Sequence, residues 1–228
     1  MIDITNEGRV RVIRLNRPES KNAFNEALYD QVTEALIEAD RDQGVAVVVV
    51  TGTGDSFSSG TDVVEMAQRM GDPNFTPGKH GFPGLADQLI EFSKPLLCAV
   101  NGIGLGIGVT ILGLADLVFM GESARVKCPF TDLALAPEAG SSFTFPRIMG
   151  RQNATWMLMS SEWLSAQQCF EMGLVFRICS DSELMDTCMG HALVLATKPI
   201  SSLVASKKVI MDPIRDQIYA ARKREDKA

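Results

Sequence analysis

The stretch from Val45 to Val50 constrains the fold of this chain more than any other feature. It contains five valines and one alanine, and Thr51-Gly-Thr-Gly54 follows it directly. A short, continuous run of β-branched residues is typical of a strand that is buried on both faces. The two glycines then predict that the chain leaves the carboxyl end of this strand in a loop.

Strands and helices are predicted to alternate along the rest of the chain. Apolar and polar residues alternate from Val10 to Asn16, as in a half-exposed strand, and a helix with Asn25 as its N-cap is predicted to end before Gly44. Further strands are predicted at 95–101 and 116–120, and further helices at 63–70, 85–92, 162–172, 183–197 and 200–212. This alternation predicts an α/β fold whose ligand lies where loops leave the carboxyl ends of the strands.

Two glycine-rich segments interrupt the pattern. The segment from Gly71 to Gly84 contains three prolines and four glycines, and we predict a mobile loop there. A glycine-rich helix is predicted from about Gly104 to Leu114.

The composition favours one domain and excludes some partners. The 228 residues are 46% hydrophobic, which is enough for one substantial core. The net charge of −6 argues against nucleic acid as a partner. The longest apolar runs are too short or too interrupted to cross a bilayer, so no membrane partner is expected. The N-terminus does not have the pattern of a signal peptide, which favours a cytoplasmic location.

Cysteine and histidine usage argues against disulfides and metals. The five cysteines are an odd number without a CxxC pair, which favours reduced and mostly buried thiols. The two histidines, His80 and His191, are too few and too far apart in sequence to suggest a zinc site. No metal is therefore expected.

Two glycine-containing loops could together bind an anionic oxygen. Ser58-Ser-Gly60-Thr61 places a glycine just before a predicted helix, whose first N–H groups are unpaired. The segment from Gly102 to Gly108, with a glycine at every second position, follows the next strand in the same way. Two N–H donors that converge on one oxygen would form an oxyanion hole. Spaced glycines also occur where a helix packs tightly on a sheet, and the residues alone leave both interpretations open.

Four motifs follow one another along the chain. They are Asn16-Arg-Pro with Asn22-Ala23, Phe57-Ser-Ser-Gly-Thr-Asp62, Lys94-Pro95 with Ala99-Val-Asn-Gly102, and Pro137-Glu-Ala-Gly-Ser-Ser142. Their order resembles the enoyl-CoA hydratase/isomerase (crotonase) superfamily over nearly the whole chain. The resemblance implies an α/β fold with a spiral core of ββα units at 1–195. It also implies a C-terminal helical segment at 196–228 in the same domain, with the family's last helices shortened.

The resemblance further implies an acyl-CoA site. Backbone N–H groups at Thr61 and Ile107 would bind the thioester oxygen, although the family usually has glycine at the second position. No cofactor is implied beyond the coenzyme A of the substrate, and the expected assembly is a homotrimer or a dimer of trimers. The residues expected to contact coenzyme A are Lys21, Ala23, Ser59, Gly60 and Asp62.

The family's hydratases use two glutamates, and this chain has neither of them. The matching positions hold Thr110 and Phe130. Hydration needs one group to activate water and another to deliver a proton, so a standard hydratase is disfavoured. The segment 137–149 resembles instead the 3,2-enoyl-CoA isomerases, whose single base falls at Glu138.

Glu138 is also notable without the resemblance. It follows a mostly apolar segment, which predicts a partly desolvated carboxylate with a raised pKa. A glutamate in such a segment is more often a helix N-terminal carboxylate than a catalyst. The favoured hypothesis is a Δ3,Δ2-enoyl-CoA isomerase with Glu138 as acid and base. The alternatives are a hydratase-like reaction, acyl-CoA hydrolysis, and an acyl-CoA-binding module without activity.

Overall fold

The computed structural model describes residues 1–228, apart from the side chain of residue 70. The strands are β1 Ile2–Glu7, β2 Val10–Leu15, β3 Val47–Gly52, β4 Ser56–Ser58, β5 Leu96–Val100, β6 Ile103–Leu105, β7 Leu117–Gly121, β8 Arg125–Lys127, β9 Leu164–Ser165 and β10 Arg177–Cys179. The α-helices are α1 Glu26–Arg41, α2 Val63–Gly71, α3 Gly81–Glu91, α4 Ile107–Thr110, α5 Ser141–Ser160, α6 Ala166–Met172, α7 Leu184–Ala196 and α8 Ile200–Glu225.

The strands form two sheets. The larger sheet has the order β1-β2-β3-β5-β7-β10 and is parallel except between β1 and β2. The smaller sheet has the order β4-β6-β8-β9 and is parallel except between β8 and β9. In three successive turns the chain places a longer strand in the larger sheet and then a short strand in the smaller one. This arrangement confirms the predicted spiral of ββα units.

The run from Val45 to Val50 is buried as predicted, with no residue more than 3% exposed. Strand β3 itself begins at Val47. Val48 and Val50 belong to a core that includes apolar residues of α1 and α3. Val47 and Val49 belong to a second core, which includes apolar residues of α7. Because neighbouring side chains of a strand point to opposite faces, helices cover both faces of the larger sheet.

The irregular part of the segment 71–84 is shorter than the predicted loop, whose mobility stays a prediction. Helix α3 already begins at Gly81. The carboxylate of Asp30 accepts hydrogen bonds from the backbone N–H groups of Lys79, His80 and Gly81 at 2.7–3.0 Å. Three bonds to one carboxylate fix the end of this segment against α1.

Other elements also begin or end elsewhere than predicted. The predicted helix at 104–114 is strand β6, a turn at Gly106, and the short α4. The helix predicted at 162–172 begins only at Ala166, after strand β9. Helix α8 extends beyond 212 to Glu225.

Among the described residues, no single helix is both long and apolar enough to cross a membrane. The segments Asp181–Ala196 and Ile200–Glu225 reach the length and hydropathy of a membrane span only when they are combined, and they meet at a bend of 104°.

Candidate active site

A cavity of about 640 Å³ lies between the β4–α2 loop, the start of α4 and the segment that precedes α5. Most of its wall is apolar, and Glu138 is the one acidic side chain among the residues that line it. Its apolar lining comes from Val63, Met66, Phe82, Leu105, Ile107, Pro129, Phe130, Leu133 and Leu135. The cavity is large enough for a small organic group, and few of its lining side chains are polar.

Two glycines bring the β4–α2 loop and the start of α4 into contact. Gly60 has a φ of +89°, and a Cβ at this position would lie 3.0 Å from the backbone oxygen of Leu105. Gly106 has a φ of +51°, and a Cβ there would lie 3.9 Å from the Cα of Gly60. The two backbones can approach this closely because neither residue has a side chain. The next residues, Thr61 and Ile107, both line the cavity.

The N–H groups of Thr61 and Ile107 donate no hydrogen bond to any group in the described part of the chain. Around Thr61, the N–H of Phe24 bonds to the oxygen of Gly60 at 2.7 Å, and the N–H of Asp62 bonds to the oxygen of Phe24 at 2.8 Å. These strand-like bonds occupy the groups on either side of Thr61 and leave its own N–H directed away from Phe24. Ile107 is the first residue of α4, where N–H groups have no acceptor within the helix.

The side chains at these two positions are held away from the N–H groups. The hydroxyl of Thr61 lies 2.8 Å from the phenol oxygen of Tyr29 on α1. Tyr29 is itself buried, with 2% exposure, and its ring packs against Phe24. Ile107 is fully buried in the main core. The side chain of Ile107, which is larger than the glycine usual in the family, therefore lies in the core and leaves the N–H of Ile107 unpaired.

Glu138 is half-buried at the cavity, and its carboxylate accepts no hydrogen bond from the described residues. Burial raises the pKa of Glu138 to about 7, and the negative charge of Glu225 contributes to the same shift. Part of the Glu138 side chain is exposed at the cavity surface, but protein atoms surround its carboxyl group closely. The carboxyl group is therefore strongly desolvated although the residue is only half-buried. A carboxyl group with a pKa near 7 can both take and return a proton near neutral pH.

Glu138 does not cap helix α5. The chain turns into α5 through Ala139 and Gly140, which have φ values of +57° and +76°. The N–H groups of Gly140 and Ser142 donate to the two carboxylate oxygens of Glu225 at 2.8 and 2.9 Å. The sequence alone allows Glu138 to be the carboxylate at the N-terminus of α5, but in the structure this carboxylate is that of Glu225.

The two positions that hold glutamate in the family's hydratases carry no acid here. Thr110 is fully buried, does not line the cavity, and its hydroxyl has no hydrogen-bond partner among the described residues. Phe130 lines the cavity and is 4% exposed. The nearby Asp132 pairs with Lys127 at 2.8 Å and does not line the cavity. Among the described residues that line the cavity, Glu138 is therefore the one carboxylate.

A surface groove of about 690 Å³ continues from the cavity and contains most of the predicted coenzyme A contacts. Ala23, Ser59 and Asp62 line this groove, and Ser59 also lines the cavity together with Gly60. Lys21 is exposed and lines neither the groove nor the cavity. The roles of these five residues in binding coenzyme A stay predictions.

Asp62 and Arg17 give the groove its local structure. Asp62 caps α2 by accepting from the N–H groups of Val64 and Glu65, and its other carboxylate oxygen pairs with Arg17 at 3.1 Å. These bonds lower the pKa of Asp62 against the opposing effect of burial. Arg17 lines the groove and belongs to the Asn16-Arg-Pro motif, but the sequence alone does not assign it to the site.

A family model described as enoyl-CoA hydratase/isomerase matches residues 5–228. The chain therefore belongs to the enoyl-CoA hydratase/isomerase family, and its fold is the crotonase fold of that family. A solved structure of an enoyl-CoA hydratase from Mycobacterium marinum is 57% identical, with a TM-score of 0.90, over 93% of this chain and 99% of that one.

The names of the relatives include isomerases and hydratases. Enoyl-CoA delta isomerase 2 of Rattus norvegicus is 34% identical over 224 residues, which are 97% of this chain and 57% of the relative. The 2,3-dehydroadipyl-CoA hydratase of Escherichia coli strain K12 is 36% identical over 195 residues, which are 86% of this chain and 74% of the relative. The chain thus spans little more than half the length of the rat isomerase that it matches.

Proposed function

We propose that this chain binds an acyl-CoA thioester and acts as a Δ3,Δ2-enoyl-CoA isomerase, with Glu138 as acid and base. The observation that carries the proposal is that Glu138 is the one acidic side chain lining a mostly apolar cavity that also has two unpaired backbone N–H groups at its wall. A shift of a double bond needs only one group that takes a proton and returns it elsewhere. The names of the relatives include both isomerases and hydratases, so the assignment depends on these residues.

The proposed reaction begins with the thioester oxygen between the N–H groups of Thr61 and Ile107. The carboxylate of Glu138 removes a proton from C2 of a 3-enoyl-CoA, and the electron pair moves into the thioester to form an enolate. The N–H groups stabilise the negative oxygen, and losing one such donor typically costs about 3 kcal/mol of barrier. Protonated Glu138 then returns the proton at C4, and the double bond moves between C2 and C3.

The apolar wall supports this assignment of Glu138. The desolvated carboxylate is a stronger base than a solvated one, since burial raises its pKa to about 7. Tyr29 and Cys128 also face Glu138, and burial together with its charge raises the pKa of both groups, so they stay neutral near pH 7. The mechanism requires no cofactor other than the coenzyme A of the substrate.

The first test is conversion of a 3-enoyl-CoA to the conjugated 2-enoyl thioester, followed by absorbance. We expect the unmodified protein to catalyse this conversion, and we expect Glu138→Gln to lower kcat/KM at least about a hundredfold, the low end for a lost general base. Glu162→Gln is the matched control, because Glu162 is exposed and lies outside the cavity. A protein that binds the thioester and converts none of it would contradict the proposal.

The second candidate is hydration, which is favoured by the name of the Mycobacterium marinum protein at 57% identity. It would require Glu138 to act with a water molecule and without a second carboxylate. Incubation with a 2-enoyl-CoA, with 3-hydroxyacyl-CoA measured by chromatography, distinguishes the two reactions. A hydration rate above the isomerisation rate would favour this candidate.

The proposal includes a cytoplasmic location and assembly as a homotrimer or a dimer of trimers. Support for assembly comes from large apolar side chains at the surface, such as Trp156 and Met159 on α5, which are 53% and 65% exposed. Light scattering of the purified protein measures the assembly directly.

A further inference from the structure

The last turn of α8 touches the segment that carries Glu138. The two carboxylate oxygens of Glu225 accept separate hydrogen bonds, one from the N–H of Gly140 at 2.8 Å and one from the N–H of Ser142 at 2.9 Å. Gly140 is the N-cap of α5 and Ser142 lies in its first turn, where N–H groups have no acceptor inside the helix. Glu225 is the one side chain among the described residues that satisfies them.

The turn after Glu138 needs such support. Ala139 has a left-handed φ of +57°, which costs free energy for a residue with a side chain, and Gly140 continues the turn with a φ of +76°. Among the described residues, a single backbone hydrogen bond closes the turn, from the N–H of Ser141 to the oxygen of Glu138 at 3.0 Å. Two charge-assisted hydrogen bonds, which the carboxylate of Glu225 accepts, therefore hold a strained segment directly beside Glu138.

Helix α8 is itself fixed at this point. Ile218 is fully buried, and a Cβ at Gly140 would lie 2.7 Å from its Cγ2. Arg222 forms an ion pair with Asp87 on α3 and donates to the backbone oxygen of Pro83 at 3.4 Å. Glu225 is thus carried by a helix end that is packed against both α3 and α5.

We infer that Glu225 is a positioning residue for Glu138. It holds the Ala139–Gly140 turn, occupies the N-terminus of α5 in place of Glu138, and keeps a second negative charge close to the Glu138 carboxyl group. Glu138 is left to face the cavity without a partner. The effect of Glu225 on catalysis rests on the proposed function, whereas its effect on the position and titration of Glu138 can be measured without substrate.

The charges around Glu138 make the effect of Glu225 measurable. Burial is the largest cause of the raised pKa of Glu138, and the charge of Glu225 raises it further. The other titratable groups that face Glu138 are Tyr29 and Cys128, which are neutral near pH 7 because burial raises their pKa values. Arg69 is the one cation among the described residues that line the same cavity, and it is paired with Glu26 at 3.2 Å.

The test uses the full chain with Glu225→Gln, Glu225→Ala and the control Asp226→Asn. Asp226 is the next residue, is exposed, and its side chain forms no hydrogen bond with the described residues, so the control removes the same charge without touching α5. Glu225→Gln removes the charge and keeps one acceptor oxygen, which protects the fold if Glu225→Ala is unstable. The carboxyl carbon of Glu138 is titrated by NMR in protein with labelled glutamate, and Glu138→Gln assigns its resonance.

We expect the titration midpoint of Glu138 to move to lower pH in both Glu225 variants and to stay in place in Asp226→Asn. In Glu225→Ala we also expect hydrogen exchange at Gly140 and Ser142 to become roughly tenfold faster or more, as the loss of a charge-assisted bond predicts. In the isomerase assay, the acid limb of kcat/KM should move in the same direction as the NMR midpoint.

An unchanged Glu138 midpoint in a folded Glu225→Gln protein would overturn the inference. An equal shift in Asp226→Asn would overturn it too, because the effect would then be a general one of net charge. A shifted midpoint in a protein without isomerase activity would support the positioning of Glu138 and would contradict the proposed function.

Discussion

Glu138 is a residue whose burial opposes folding above acidic pH. Its pKa is about 7 in the folded protein and 4.5 in its ordinary state, and burial is the main cause of the difference. Between these two values the folded state keeps a proton that the unfolded chain releases. The contribution of Glu138 to the free energy of unfolding therefore decreases as pH rises from below 4.5 to above 7. A neutral glutamine at this position would not have this dependence.

We expect Glu138→Gln to become more stable relative to the unmodified protein as pH rises. A difference of this size in pKa predicts a relative gain of about 2 kcal/mol between roughly pH 5 and pH 8. Urea unfolding of both proteins at the two pH values measures it. Glu162→Gln, an exposed glutamate, should show no such gain. An equal stability difference at both pH values would contradict the raised pKa of Glu138.

Single residues of the site differ in how far the sequence could predict them. Thr61, Ile107 and Glu138 all line the cavity. They could be predicted because each lies beside a glycine or the start of a helix, and a short sequence motif contains such local features. Tyr29 bonds to Thr61 from another element, and Glu225 reaches the turn after Glu138 from the other end of the chain. No local pattern indicates these two partners, since only the packing of α1 and α8 brings them to the site.

At the scale of elements, the site depends on contact between the β4–α2 loop and the start of α4. A Cβ at Gly60 would lie 3.0 Å from the oxygen of Leu105, while a Cβ at Gly54 would meet only Pro18 at 3.8 Å. Both glycines have positive φ, of +89° and +78°. Substitution by alanine thus strains the backbone at both positions, but only Gly60→Ala separates the two loops.

We expect Gly60→Ala and Gly54→Ala each to lower the free energy of unfolding by about 1–2 kcal/mol. Gly60→Ala should also lower kcat/KM by about tenfold or more, because it displaces the N–H groups that would bind the thioester oxygen. Gly54→Ala should keep kcat/KM close to that of the unmodified protein. Thermal unfolding and the isomerase assay measure the two effects, and equal activity in the two variants would argue against an oxyanion hole between these loops.

The elements themselves were predictable where the pattern is long and regular. Val45 to Val50 is a buried strand segment and α1 begins after its N-cap Asn25, as predicted. Strand β6 has three residues, too few to show a period, and its pairing with β4 and β8 decides its structure. Helix α5 contains Pro146 and a non-helical Gly150, and it has no clear amphipathic stripe, so periodicity did not reveal it.

At the scale of the whole molecule, α8 contacts the core through both its first half and its last turn. Its 26 residues span roughly 39 Å. In its first half, Lys207 is 6% exposed and donates to the carboxylate of Asp116 at 2.8 Å and to the backbone oxygen of Lys94 at 2.9 Å. In its last turn, Glu225 holds the start of α5. The segment 196–228 was predicted to belong to the same domain as the core, and this packing supplies a way to test that prediction.

We expect Lys207→Met to lower the free energy of unfolding by about 1–3 kcal/mol, because the buried ammonium group no longer donates to the backbone oxygen of Lys94 or to the carboxylate of Asp116. Lys208→Met is the matched control on the next residue, where the ion pair with Asp212 is exposed and within one helix, and it should cost less than about 0.5 kcal/mol. Urea unfolding followed by circular dichroism and by tryptophan fluorescence should give one coincident transition for both variants, since α8 and the core share buried contacts. A separate early transition in Lys207→Met would mean that α8 can detach while the core stays folded, and Glu225 would then be released from α5 in the same step.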